Sequence, residues 1–177
     1  MMVHSPSASS MPEDSLWADG ISSSGKMTET RLTGRKGKIM TDLPHRLQEI
    51  VEDFSYCEGQ EKLEYLLQLS ESLTPLPEWL KDQRGRMDEV HECMTPVFIY
   101  AERKNGKLHY HFDVPPEAPT VRGFAATLQQ GLDGATKQQV QAIPNQFYLE
   151  MGLQEVLSGQ RLNGISAILA HMKALAR

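Results

Sequence analysis

Val97-Phe98-Ile99-Tyr100-Ala101-Glu102-Arg103-Lys104-Asn105-Gly106-Lys107-Leu108-His109-Tyr110-His111-Phe112-Asp113 is the stretch on which the fold class turns. Val97 to Tyr100 is a short run of β-branched and aromatic residues, the types that suit a pleated strand. Asn105-Gly106 then falls between two such runs, the strongest short-range signal for a hairpin. On the return strand Leu108, Tyr110 and Phe112 alternate with Lys107, His109, His111 and Asp113, so one face is buried and the other is wet. A preceding strand near Arg86 to His91 completes a small antiparallel sheet of about three strands.

Helical spacing flanks this sheet on both sides. Upstream, Thr41 or Asp42 caps a helix with Pro44 in its first turn, and Leu43, Leu47, Ile50, Val51 and Phe54 recur on one face. Cys57 continues that stripe and is assigned to the core. A second helix follows Gly59, burying Leu63, Leu66, Leu67 and Leu73, and Pro75 and Pro77 stop it. Downstream, Thr120 caps a helix carrying Val121, Phe124, Ala125 and Leu128 inward, with Gly131 and Gly134 at its end. Short helical pieces are expected over residues 136–141 and 146–151. A last helix starts near Asn163 and buries Ile165, Ile168, Leu169, Met172 and Leu175. Helices, then strands, then helices read as α+β, with the helices packed on one sheet face.

Residues 1–39 differ in kind. Serines crowd a stretch with little apolar periodicity, which cannot bury enough surface to offset its ordering entropy. A disordered N-terminal extension is expected, or a start called too early, with Met40 the true beginning. Glu13, Asp14, Asp19 and Glu29 argue against a transit peptide, since such peptides are poor in acids. Residues 40–177 then form one domain.

The 177 residues are 40% hydrophobic and 23% charged, the mix of a soluble globular chain. A net charge of -5 points away from nucleic acid, and no apolar run is long enough for a membrane span. Two cysteines, Cys57 and Cys93, are too few for a disulfide framework, which places the chain in a reducing cytoplasm. They are also too few for the four thiolates usual around an iron–sulfur cluster.

Cys93 lies in Val90-His91-Glu92-Cys93-Met94-Thr95-Pro96-Val97-Phe98, at a connection between strands where a side chain can reach a partner. A thiol there suits a nucleophile, a metal ligand or a buried structural role. His91, Cys93, His109 and His111 place ligand types at alternate positions, and four such ligands suit zinc. Glu92 sets a negative charge beside the thiol, and a protonated His91 sets a positive one.

This cysteine segment resembles the SufE family of sulfur-acceptor proteins, which usually reads V-x-G-C-x-S-x-V-W. Val90, Cys93 and Val97 match, Thr95 stands for Ser, Phe98 for Trp, and Glu92 replaces the usual Gly. Glu117-Ala118-Pro119-Thr120-Val121-Arg122-Gly123 resembles the family's stretch before its central helix. Leu157-Ser158-Gly159-Gln160-Arg161-Leu162-Asn163-Gly164 resembles the stretch before its last helix, with Gly159 for Pro and Val156 for a preceding His. The region from Phe54 to Leu69 resembles the family's first two helices.

The resemblance implies an α+β fold shared with IscU-type scaffolds. It implies a protein that docks on a SufS-type cysteine desulfurase and takes sulfur as a persulfide on Cys93. The sulfur then passes to an iron–sulfur scaffold complex. Arg161 is implied to lie near the cysteine, with His91, Glu92 and Thr95 in support. The pyridoxal phosphate belongs to the desulfurase, so the chain is expected to need no cofactor and to serve as a sulfur-transfer accessory more than a stand-alone enzyme. It is expected to be a monomer or weak dimer. The alternative is a non-catalytic binding module of the same fold, one that contacts a partner or holds zinc through His91, Cys93, His109 and His111.

Overall fold

A computed structural model describes residues 43–177. The expectations for residues 1–39 and for a cap at Thr41 or Asp42 lie outside the described residues. Helix α1 (His45–Ser55) turns Leu47, Ile50, Val51 and Phe54 into the core, with Pro44 just before it, where a missing N–H costs no helix bond. Helix α2 (Gln60–Glu71) buries Leu66, and Leu63, Tyr65 and Leu69 pack against the core beside it. Leu67, expected inside, is only half-buried. A one-turn helix α3 (Glu78–Lys81) and a 3-10 turn (Arg84–Arg86) lead to the sheet.

Among the described residues, four antiparallel strands run in the order β1 (Asp88–Glu89), β2 (Phe98–Lys104), β3 (Lys107–Asp113), β4 (Ala135–Thr136). The fold is α+β, with one strand more than the three expected. β4 is two residues long, too short for any alternation to be read. Its second residue is already the cap of helix α5 (Lys137–Ala142). The Thr136 hydroxyl accepts from the Gln139 N–H at 3.3 Å, and the Gln139 side chain accepts from the Thr136 N–H at 2.9 Å. β1 fills only part of the span expected from Arg86 to His91, because Arg84–Arg86 is a 3-10 turn and the chain leaves the sheet after Glu89.

The β2–β3 hairpin closes on the Lys104↔Lys107 pair. Asn105 (φ 51°) and Gly106 (φ 77°) supply the two left-handed residues that a tight turn of this hand requires. Ile99 faces Phe112 and Ala101 faces Tyr110 on the inner side. Two helices meet that side: α4 (Pro119–Gly131) and α6 (Gly159–Leu175). The Tyr110 hydroxyl donates to the Met172 carbonyl of α6 at 3.0 Å, and Gln129 of α4 donates to the Tyr110 carbonyl at 3.1 Å. Gln129 also accepts from the Thr74 N–H at 2.9 Å, so this buried amide is satisfied on both sides.

α4 is buried almost all round and approaches its neighbours through glycines. A Cβ on Gly123 would stand 2.0 Å from the Leu66 backbone oxygen of α2, and one on Gly131 would stand 2.7 Å from the Leu47 side chain of α1. Three boundaries differ from expectation. Thr120 is inside α4 rather than its cap, because Pro119 takes the first helical position. α6 begins at Gly159 behind Ser158, a turn before Asn163. Gly159 and Gly164 are weak helix formers, and they mask that start in the sequence. Cys57 is not a core residue: α1 ends at Ser55, and the partly exposed thiol turns back to the Asp53 carbonyl at 3.6 Å. Partial burial, with the charge of Glu61, raises its pKa above the ordinary thiol value.

Candidate functional site

The loop between β1 and β2 is pinched at its base. Val90 and Val97 are both fully buried, and the Val90 N–H donates to the Val97 carbonyl at 2.9 Å. The Cys93 N–H turns back to the Val90 carbonyl at 3.2 Å. The six residues between the two valines therefore leave the sheet as a compact excursion. Cys93 is half-buried within it, and Met94 is 80% exposed beside it.

The thiol rests on α6. A Cβ built on Gly164 would lie 3.1 Å from Cys93 Sγ, well inside ordinary contact, so a bare glycine is what lets the sulfur settle on the helix. Gly164→Ala is expected to leave Tm within a few degrees of the parent, because about 1 kcal/mol of helix propensity offsets the strain of a small shift. It is also expected to displace the sulfur and change the rate at which iodoacetamide alkylates Cys93. An unchanged rate would mean the loop sits clear of the helix.

An open cleft of about 650 Å³ lies against the sulfur. Cys93, Met94 and Thr95 form one wall, residues 117–121 at the start of α4 a second, and Ser158, Gln160 and Arg161 at the start of α6 a third. Two helix N-termini thus open on one cleft, and each carries partial positive charge from its unpaired N–H groups. Arg161 is exposed and makes no ion pair among the described residues, so its charge is available to the cleft.

Cys93, Thr95 and Arg161 line this one cleft. His91 is not: it points to solvent, 3.7 Å from the Glu89 carboxylate. Glu92 does not face the cleft either. Its carboxylate meets His171 Nε2 at 3.0 Å, while His171 Nδ1 contacts the Asp88 carboxylate. His171 is absent from the candidates that the sequence offers. Its one signal is spacing: Arg161, Gly164, Ile168 and His171 fall on one stripe of α6.

The four residues considered for zinc are separated. His109 Nδ1 pairs with Asp133 at 2.6 Å and His111 Nε2 with Glu102 at 3.2 Å, both at a second cleft lined by β3. Cys93 faces Gly164 instead. Among the described residues no group of three or more His, Cys, Asp or Glu side chains is arranged to hold a metal. Alternation along a strand put the histidines on one face, but each found a carboxylate there.

The family model described as SufE: Fe-S metabolism associated domain matches residues 48–176. The chain belongs to the SufE family. It is 40% identical over 136 residues to an uncharacterized SufE-like protein of Mycobacterium tuberculosis, covering 76% of this chain and 94% of that one. It is 32% identical to the chloroplastic/mitochondrial SufE-like protein 1 of Arabidopsis thaliana, covering 76% of this chain and 36% of that longer protein. The solution structure of a hypothetical protein from Thermus thermophilus superposes with a TM-score of 0.67 at 34% identity, covering 76% of this chain and 96% of that one. The SufE family is associated with Fe–S metabolism, and that association extends to this member. No helix among its described residues is long and apolar enough to cross a membrane.

Proposed function

We propose that this SufE-family protein accepts sulfane sulfur on Cys93 from a SufS-type cysteine desulfurase and passes it to an iron–sulfur scaffold complex. The observation that carries the reading is a half-exposed thiol on a pinched loop, at a cleft flanked by two helix N-termini and by Arg161, which has no ion-pair partner among the described residues. The Cys93 thiolate attacks the outer sulfur of the desulfurase persulfide. One S–S bond forms on Cys93 as the S–S bond in the desulfurase breaks, and the desulfurase cysteine leaves as its thiolate. No net oxidation occurs, and the pyridoxal phosphate that made the persulfide stays with the donor. A persulfide anion left on Cys93 meets positive potential on two sides of the cleft.

The exposed Met94 beside the thiol gives an apolar contact for the donor. A reducing compartment such as the cytoplasm keeps both cysteines as thiols between turnovers. Arg161→Ala is expected to slow persulfide formation about tenfold by removing the one free cation at the cleft among the described residues. The initial rate of sulfur transfer in a single turnover with desulfurase and cysteine measures this. An unchanged rate would take Arg161 out of the mechanism.

A further inference from the structure

His171 stands between two carboxylates, one on each ring nitrogen. Nδ1 contacts Asp88, and Nε2 lies 3.0 Å from Glu92. An ionised carboxylate only accepts hydrogen bonds, and a neutral imidazole has a single N–H to donate. Both contacts are therefore made only by the imidazolium. The two carboxylates lie on opposite nitrogens, so they serve the ring and cannot converge on one ion. Asp88 belongs to β1, immediately before the pinched loop. Glu92 belongs to the loop itself, next to Cys93. His171 lies two turns beyond Gly164 on the same stripe of α6.

We propose that His171 is a positioning residue for Cys93: as imidazolium it latches the cysteine loop to α6, and when it loses a proton it releases Glu92. The neutral ring keeps its N–H on Asp88, the less exposed of the two partners (40% against 61%), and turns a lone pair on Glu92. The latch also gives a physical role to the acid that replaces the family's usual glycine at position 92. It rests on reading Cys93 as the reactive thiol, but not on the identity of the sulfur donor.

The charged surroundings support a protonated ring. Partial burial pulls the His171 pKa down, but the hydrogen bonds and charges of Asp88 and Glu92 outweigh it, leaving the value above the ordinary 6.5. The Glu92 backbone N–H, with the His171 ring, holds the Glu92 carboxyl below 4.5. The other groups near this face are otherwise engaged. His91 and Glu89 pair with each other, Arg103 of β2 donates to the Ala176 carbonyl, Tyr110 of β3 donates to the Met172 carbonyl, and Lys173 of α6 binds Asn145. The latch is therefore closed between the depressed Glu92 value and the raised His171 value. It is lost as pH rises through the second, or falls through the first.

The test is alkylation of Cys93 by neutral iodoacetamide across a pH series, on the full chain carrying Cys57→Ser, with and without His171→Gln. Loss of a cation near the thiol would by itself slow alkylation. Release of the loop instead uncovers the sulfur, so His171→Gln is expected to react about threefold faster at neutral pH, in line with the loss of one partly exposed charge-assisted bond. The two profiles should converge at alkaline pH, where the parent ring is neutral. Equal or slower alkylation at neutral pH overturns the latch. Nitrogen NMR of the parent protein provides a check without mutation: protons on both His171 nitrogens at neutral pH are expected, and a neutral ring overturns the proposal. Neither measurement uses a desulfurase, so a failure of sulfur transfer and a failure of the latch are read separately.

Discussion

Cys93→Ser is expected to lose sulfur acceptance entirely, and Cys57→Ser is expected to keep it. A serine hydroxyl cannot hold a persulfide, since the accepted sulfur must form an S–S bond. The substitution changes one atom on a loop whose shape is set elsewhere, by the buried Val90 and Val97 and the bond between them. The fold should therefore be untouched, with Tm within a few degrees of the parent. Cys57 lies beyond the end of α1 and away from the cleft, and its raised pKa leaves less of the reactive thiolate at neutral pH. Labelled sulfur from cysteine, retained on the chain under non-reducing conditions and released by a thiol, separates the two. Retention by Cys93→Ser would place the chemistry on another residue.

Gly123→Ala is expected to destabilise the domain by about 2–3 kcal/mol, because overpacking that moves backbone outweighs the gain in helix propensity. In an exposed helix this change would stabilise by about 1 kcal/mol. Here the new methyl would meet the Leu66 backbone oxygen at 2.0 Å, and a backbone atom cannot turn aside as a side-chain tip can. α2 and α4 would have to part, opening gaps around Phe124, Ala125 and Leu128, all fully buried. Tm should fall by roughly 10 °C for a domain of this size. A Tm equal to or above the parent's would mean that the helices are not in such close contact. Gly164→Ala differs in kind: its neighbour is a side-chain sulfur on a surface loop, so the strain goes into the position of the thiol.

What the sequence made legible was local. The hairpin could be read because Asn105-Gly106 and the alternation of Leu108, Tyr110 and Phe112 are properties of adjacent residues. The α1 stripe was equally plain. Cys93 stood out through its position between strand-like segments, and Thr95 and Arg161 joined it through the family's motif order. The features that escaped depend on distant partners. Ala135–Thr136 becomes a strand only because it lies against Lys107 and Leu108. His109 and His111 lost their claim as zinc ligands to Asp133 and Glu102, whose proximity is a matter of tertiary structure. His171 matters through Asp88 and Glu92, some eighty positions earlier, and nothing in its own neighbourhood announces them. Cys57 continues the spacing of the α1 stripe, but the helix stops at Ser55, so the spacing no longer sets which way its side chain faces.

Intact-mass analysis of the purified chain, incubated with an active cysteine desulfurase, pyridoxal phosphate and cysteine, tests the central claim most directly. A gain of about 32 Da or a multiple of it, removed by reductant and mapped to Cys93 after digestion, is the expected result. A chain that stays at its original mass with desulfurases of several types, each shown to be active, would contradict the assignment of Cys93 as a sulfur acceptor.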